Sequence, residues 1–294
     1  MKNAILYYYN FNDIHLNKVK NKNYIIDIAT NKIYIFVSIE NTEECIEAIR
    51  LTKNIKHFNN VVINIKNEYF TPYNGKIYIL EEISEKSNEH INIDEYLVQQ
   101  PKLEKFTNLD RSNWNTLWAK KIDYYEYQLS HVNNQYKLIE ETIDYYIGLT
   151  ENAIELYNYA MITADASETE KIICHKRINH NLTDITNIIV DYREREIGEY
   201  LKSIFWQKND NLEEAKTLIN KYIKNETSAY LLFSRLLYPN YYFDIYDKIL
   251  NSELNEKEIL KIVERNKEYE KFLLTIKKQL KDYGKLAMIK WIKK

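Results

Sequence analysis

Phe70-Thr71-Pro72-Tyr73-Asn74-Gly75-Lys76-Ile77-Tyr78-Ile79-Leu80 is the most decisive stretch of this 294-residue chain. Asn74-Gly75 offers two residues that tolerate positive φ, set between runs of aromatic and β-branched side chains. That pattern predicts a tight antiparallel hairpin. Upstream, Val61-Val62-Ile63-Asn64-Ile65, Lys32-Ile33-Tyr34-Ile35-Phe36-Val37 and Tyr24-Ile25-Ile26-Asp27-Ile28 read as further strands, the last two joined by the turn Ala29-Thr30-Asn31. Asn41 stands three residues before Glu44, an N-cap with its N3 carboxylate. It predicts a helix over Thr42–Ile55 with Cys45, Ile46 and Ile49 facing inward. Residues 1–83 therefore read as an antiparallel sheet carrying one helix.

Downstream the pattern changes. Residues 84–110 are polar and irregular around Pro101, a connection with a short helix at Ile93–Val98. From Asp110 the apolar period becomes 3.6: Trp114, Leu117, Trp118, Ile122, Tyr125 and Leu129 share one helical face. Tyr136 to Ile147 predicts a second helix and Asn152 to Met161 a third. Ile172 to Val190 has loop and short-strand character. Helices resume at Ile197–Phe205, at Asp210 with Glu213, at Ala229–Leu237 and from Glu256 to Tyr283. The expected fold is α+β and two-lobed: a small antiparallel β-rich N-lobe with one helix (1–83), a hinge or connection (84–110), and a large mainly helical C-lobe (111–294).

Composition limits the function. Lys and Arg total 41 against 43 Asp and Glu, a net charge of −2. This balance argues against a dedicated nucleic-acid binder and shows no basic membrane anchor. No apolar run approaches a membrane span, and the start turns polar at Asn10, too early for a signal peptide. Two cysteines, Cys45 and Cys174, make neither a disulfide framework nor a zinc site, and suit a reducing cytosol. The 27 Tyr, 34 Asn and 34 Lys against 7 Arg reflect mostly AT-rich codons. The 4 Gly leave almost nothing with which to build a phosphate-cradling loop.

Three segments carry a resemblance: Asp123-Tyr124-Tyr125-Glu126, then Asp144 to Ile154, then Ile173-Cys174-His175-Lys176-Arg177. With Val190-Asp191-Tyr192-Arg193-Glu194-Arg195-Glu196-Ile197, they resemble the YutH family of bacterial spore coat proteins. That family sits in the wider CotS-type group of kinase-like coat proteins, themselves similar to aminoglycoside phosphotransferases. The resemblance covers roughly residues 24–280 in order of elements and is specific over 114–202. It implies a protein-kinase-like fold, spore coat proteins as partners, and synthesis in the mother cell cytoplasm before assembly onto the spore coat.

Kinase chemistry needs a glycine-rich loop, a third-strand lysine, a catalytic-loop Asp, and a metal-binding Asn and Asp. No glycine precedes Gly75, and the lysine position falls near Val37 or Ser38, with Lys32 the nearest lysine. Where the resemblance places His-Gly-Asp stands His175-Lys176-Arg177, and an arginine cannot accept the substrate proton. Asp184 and Asp191 both suit the metal-binding Asp; Asn181 or Asn187 could be the metal-side Asn. The expectation is a pseudokinase with degenerate loop positions His175, Arg177, Asp184 and Asp191, no cofactor and no metal. The alternatives are a small-molecule phosphotransferase with a rearranged active site and an α+β interaction protein unrelated to kinases.

Each of these residues also has a plainer role. His175 suits a buried backbone-bonded histidine, Asp184 and Asp191 suit capping, and Arg177 suits a partly buried pair with Asp191 or Asp184. Cys174, His175 and His180 lack the spacing of a zinc site. Lys285 to Lys294 reads as a solvated face. Most tyrosines, Tyr7-Tyr8-Tyr9, Tyr124-Tyr125 and Tyr241-Tyr242 among them, read as packing residues.

Overall fold

The computed structural model describes all residues except 20–21, 84–91, 102, 104–106, 133–134, 164–168, 179–181, 208–211, 281–285 and 287–294. The hinge expected near Glu81–Ser84 therefore lies partly outside the described residues, as do His180, Asn181, the helix start at Asp210 and the Lys285–Lys294 end. The chain divides into two compact units, Met1–Asp110 with Ile172–Val190, and Arg111–Lys171 with Asp191–Lys294.

The first unit opens on helix α1 (Lys2–Tyr9), closed by Asn10 at φ 53°. Strands β1 (Ile14–Val19), β2 (Lys22–Asp27) and β3 (Ile33–Ile39) follow, then α2 (Thr42–Thr52), β4 (Asn60–Val62), β5 (Thr71–Tyr73) and β6 (Lys76–Glu82). The sheet order is β1-β2-β3-β6-β4, and β5 also pairs with β6. All its pairings are antiparallel, with Ile25 opposite Leu16 and Phe36 opposite Leu80. The hairpin at Asn74-Gly75 is present, with φ 47° and 71° at the two turn residues. Ile5, Ile14, Ile25, Tyr34, Phe36 and Leu80 form one buried cluster under α1.

Helix α2 begins where expected. Asn41 Oδ1 accepts from the Glu43 and Glu44 amides, and its Nδ2 donates to Glu44 Oε1 at 3.1 Å. Its inward face differs: Cys45, Ala48, Ile49 and Thr52 are buried, and Ile46 is 52% exposed. α3 (Ile93–Val98) has the expected bounds. Strands β7 (Lys171–His175) and β8 (Ile188–Tyr192) pair as a separate ribbon. Residues 172–190, placed by sequence in the helical lobe, group with the first unit, where Asn59 N donates to Thr183 O at 2.8 Å.

The second unit is helical: α4 (Trp114–Val132), α5 (Lys137–Thr163), α6 (Arg193–Trp206), α7 (Leu212–Tyr222), α8 (Glu226–Leu237), α9 (Asn240–Leu250), α10 (Leu260–Val263) and α11 (Asn266–Gln279). The two helices expected between Tyr136 and Met161 are one, α5, running through Gly148. The pattern expected from Glu256 to Tyr283 is broken into a 3-10 turn, α10 and α11. On α4, Trp118, Ile122 and Tyr125 are buried but Leu117 is 45% exposed. Tyr125, Tyr146, Tyr230, Tyr242, Tyr246 and Tyr269 are fully buried, and each buried hydroxyl needs a partner. Tyr146 donates to Asn266 Oδ1 at 2.8 Å and Tyr269 to Leu236 O at 2.7 Å. Among the described residues no helix is long and apolar enough to cross a membrane.

Candidate functional site

Between β7 and β8 the chain turns through the loop that carries His175, Arg177 and Asp184. His175, the last residue of β7, is fully buried, and its Nε2 lies 2.9 Å from Leu182 O. Lys176 N donates to Asn187 O at 2.7 Å, and its ammonium donates to Thr186 O at 2.8 Å. Arg177 N donates to Asn187 Oδ1 at 3.1 Å, while Asn187 Nδ2 donates back to Arg177 O at 3.0 Å. One side-chain amide thus closes the turn from both ends.

Arg177 is exposed, because it stands in the turn just past the buried strand. The partial burial expected for its side chain is not found. Asp184 Oδ1 accepts from the Thr186 amide at 2.8 Å and from its hydroxyl at 2.6 Å, capping the 3-10 turn Ile185–Asn187. Asp191 groups with the second unit. It is 1% exposed, accepts from Tyr192 N at 2.7 Å and from the Trp114 indole, and pairs with Arg195 Nε at 3.3 Å. Burial pushes its carboxyl up to about 6 against the pull of the Arg195 charge.

Beside this loop the first unit holds a pocket of ≈ 320 Å³. Ser38, at the expected lysine position, lines it with Glu44, Cys45, Lys176, Thr186 and Ile188. The first turn of α2 borders it, but Asn41 already takes two of that turn's amides, and Glu43 and Glu44 add negative charge. A helix N-terminus binds anions through free amides and its positive end. Here both are offset. Burial pushes the Cys45 thiol up to about 12, so it is no nucleophile. Lys32 lies elsewhere, exposed and paired with Glu82 at 2.6 Å. Among the described residues no group of three His, Cys, Asp or Glu side chains is placed to hold a metal ion.

A feature missed in the sequence lies along α6. Eleven of its residues are buried, Glu194, Arg195, Glu196, Glu199 and Lys202 among them. Glu199 Oε1 meets Arg235 Nε at 2.5 Å and Lys202 Nζ at 2.8 Å, and its Oε2 accepts from Asn240 at 3.0 Å. Burial opposes ionisation of Glu199, but Arg235, Lys202 and Arg195 together hold it far below the usual carboxylate range. Burial, partly offset by Glu199, lowers Lys202 to about 8. Arg235 also lies over the Trp114 ring at 4.4 Å. The sequence shows carboxylates and cations repeating through 193–202, but its apolar positions alone marked Ile197–Phe205 as a helix.

The family model described as "Spore coat putative kinase YutH" matches residues 3–276. The chain belongs to the spore coat YutH family. A curated relative, the endospore coat-associated protein YutH of Bacillus subtilis (strain 168), is 28% identical over 187 residues. That match spans 55% of this chain and 55% of the relative, about half the length of each. Among solved structures, an aminoglycoside phosphotransferase from Alicyclobacillus acidocaldarius superposes with TM-score 0.68 at 12% identity, covering 96% of this chain and 97% of that one. The spectinomycin phosphotransferase APH(9)-Ia, in complex with ADP and spectinomycin, gives TM-score 0.57 at 14% identity, covering 91% and 92%. The expected α+β, kinase-like fold is thus the fold of this YutH-family chain.

Proposed function

We propose that the chain is a pseudokinase: a non-catalytic structural or assembly protein of the bacterial endospore coat, made in the mother cell and carried onto the spore surface. Arg177 carries the reading. It occupies the position where the related phosphotransferases need a proton acceptor, and its backbone is locked by Asn187. The groups a magnesium–nucleotide complex requires are committed elsewhere. Asp184 caps a turn, Asn187 closes the loop, and Asp191 faces Arg195 and Trp114. In these roles the residues do not fit a bound magnesium ion. The coat assignment rests on family membership and on the name of the Bacillus subtilis relative. Other coat proteins are the partners this reading implies.

Three experiments test it. A ligand at 100-fold its Kd stabilises a fold by about 2.7 kcal/mol, which thermal-shift titration detects easily. No shift is expected with low millimolar ATP and magnesium, and Arg177→Asp should not create turnover, because Ser38 and the glycine-free β1–β2 connection remain. ATP turnover in either protein would favour the rearranged phosphotransferase instead. A fluorescently tagged copy should coat the forespore in sporulating cells; diffuse mother-cell fluorescence through spore maturation would remove the coat assignment.

A further inference from the structure

His57 and His175 lie 118 positions apart and meet in the first unit with their Nε2 atoms 3.2 Å apart. Both nitrogens also lie against one carbonyl oxygen, that of Leu182, at 3.0 Å from His57 and 2.9 Å from His175. Three donor atoms thus form a triangle with sides of 2.9 to 3.2 Å. A tetrahedral zinc site with Zn–N bonds of about 2.0 Å has ligand–ligand edges of roughly 3.3 Å. The triangle is close to one face of such a tetrahedron. Its setting is apolar: the Tyr96 ring lies 5.0 Å from His57 and 4.9 Å from His175, and Phe58 packs on both imidazoles. His175 is fully buried and His57 half-buried.

We propose that His57 Nε2, His175 Nε2 and the Leu182 carbonyl form a binding site for one late first-row divalent metal ion, zinc being the reference case. Imidazole nitrogens favour zinc, copper and nickel over magnesium and calcium. A water in the fourth position completes the coordination. Each imidazole would bind the ion as the neutral ring through its Nε2 lone pair, with its proton on Nδ1. Acid opposes binding, since each imidazolium must first lose a proton. The ion ties the segment after α2 to both ends of the loop that replaces the kinase catalytic loop. Asn59 N bonds the same loop at Thr183 O, 2.8 Å away, so the clasp already exists in hydrogen-bonded form.

Isothermal titration of the full chain with zinc chloride at pH 7.5 tests this, with Co²⁺ as a spectroscopic substitute. One ion per chain is expected, with tetrahedral Co²⁺ absorption, and at least tenfold weaker binding at pH 5.5. His57→Gln should weaken binding at least tenfold, and so should His175→Gln. Exposed controls His15→Gln and His131→Gln should leave it unchanged. Should His175→Gln fail to fold, His57→Gln and the imidazole NMR signals of the native chain still decide. Zinc must then shift the ring signals of His57 and His175. Binding that survives His57→Gln, or ring signals that ignore 100 μM zinc, would overturn the site.

Discussion

Between His175 and Asn187 the polar side chains bond backbone groups, whereas along α6 buried charged side chains bond one another. In the loop, Asn187, Asp184 and Lys176 each bond a main-chain atom within eleven residues. Along α6, Glu199, Arg235, Lys202 and Arg195 satisfy charge with charge across two helices. Side-chain-to-backbone bonds of this kind act locally, each contributing about 1 kcal/mol. Buried ion pairs are coupled, so losing one partner strands the rest. The comparison teaches where the fold invests. The β7–β8 loop is a turn of modest individual bonds, and the helix after it is an all-or-none electrostatic core.

The largest test of that contrast is Glu199→Ala, which leaves Arg235 and Lys202 buried without their carboxylate. Chemical denaturation should show a loss of about 3–5 kcal/mol. A loss under about 1 kcal/mol would mean that the cations find other partners and the cluster is not coupled.

Next is the pH dependence of Asp191. Its carboxyl sits at about 6 in the fold against an ordinary 3.8. A raised pKa contributes stability that is fully present below pH 3.8 and lost as pH rises through about 6. The difference amounts to about 3 kcal/mol. Glu199 acts oppositely, stabilising above 4.5 and losing that contribution as pH falls. Asp191→Asn should therefore gain about 3 kcal/mol relative to the native chain between pH 4 and pH 7. Parallel stability curves for the two proteins would break the contrast at its electrostatic end.

Asn187→Ala should cost about 2 kcal/mol, one bond at each end of the Arg177 turn, and should speed hydrogen exchange at the Arg177 amide. Unchanged exchange there would mean the turn is held by something other than this amide. The smallest effect is expected from Asn41→Ala, about 1 kcal/mol for losing the α2 cap.

Local signals were the ones readable from sequence. Asn74-Gly75 dictates its turn whatever surrounds it, and Asn41 with Glu44 starts α2 by bonds within four residues. α1, β1 and α9 went unread, since Tyr-rich Lys2–Tyr9 and Asn240–Leu250 carry weak helical preference and gain their conformation from packing. The break expected in α5 falls at Gly148 and Asn152; Asn152 instead bonds Gly148 O at 2.6 Å within a continuous helix. α6 was read as amphipathic because charges usually mark a wet face. Its charges are buried because α8 brings Arg235 alongside, so closely that a Cβ on Gly198 would sit 3.1 Å from Arg235 Cβ. In the candidate site the residue types at His175, Arg177 and Asp184 could be read from sequence, but their hydrogen-bond partners could not. Nor could the meeting of His57 with His175, since nothing local links positions 118 apart.

The beginning of α5 has a consequence in time. Its first-turn amides at Leu138 and Ile139 are capped by Glu256 Oε1, at 2.7 and 3.2 Å, and Tyr145 and Tyr146 bond Glu270 and Asn266. A ribosome adding 5–20 residues per second needs roughly 6–24 s to travel from residue 138 to residue 256. For that interval the longest helix among the described residues emerges with its entry turn unsealed, its tyrosine hydroxyls waiting for partners not yet translated. Its completion is therefore set by the pace of synthesis, and codon choice between residues 138 and 256 governs how long that half-made helix is open to chaperones and proteases.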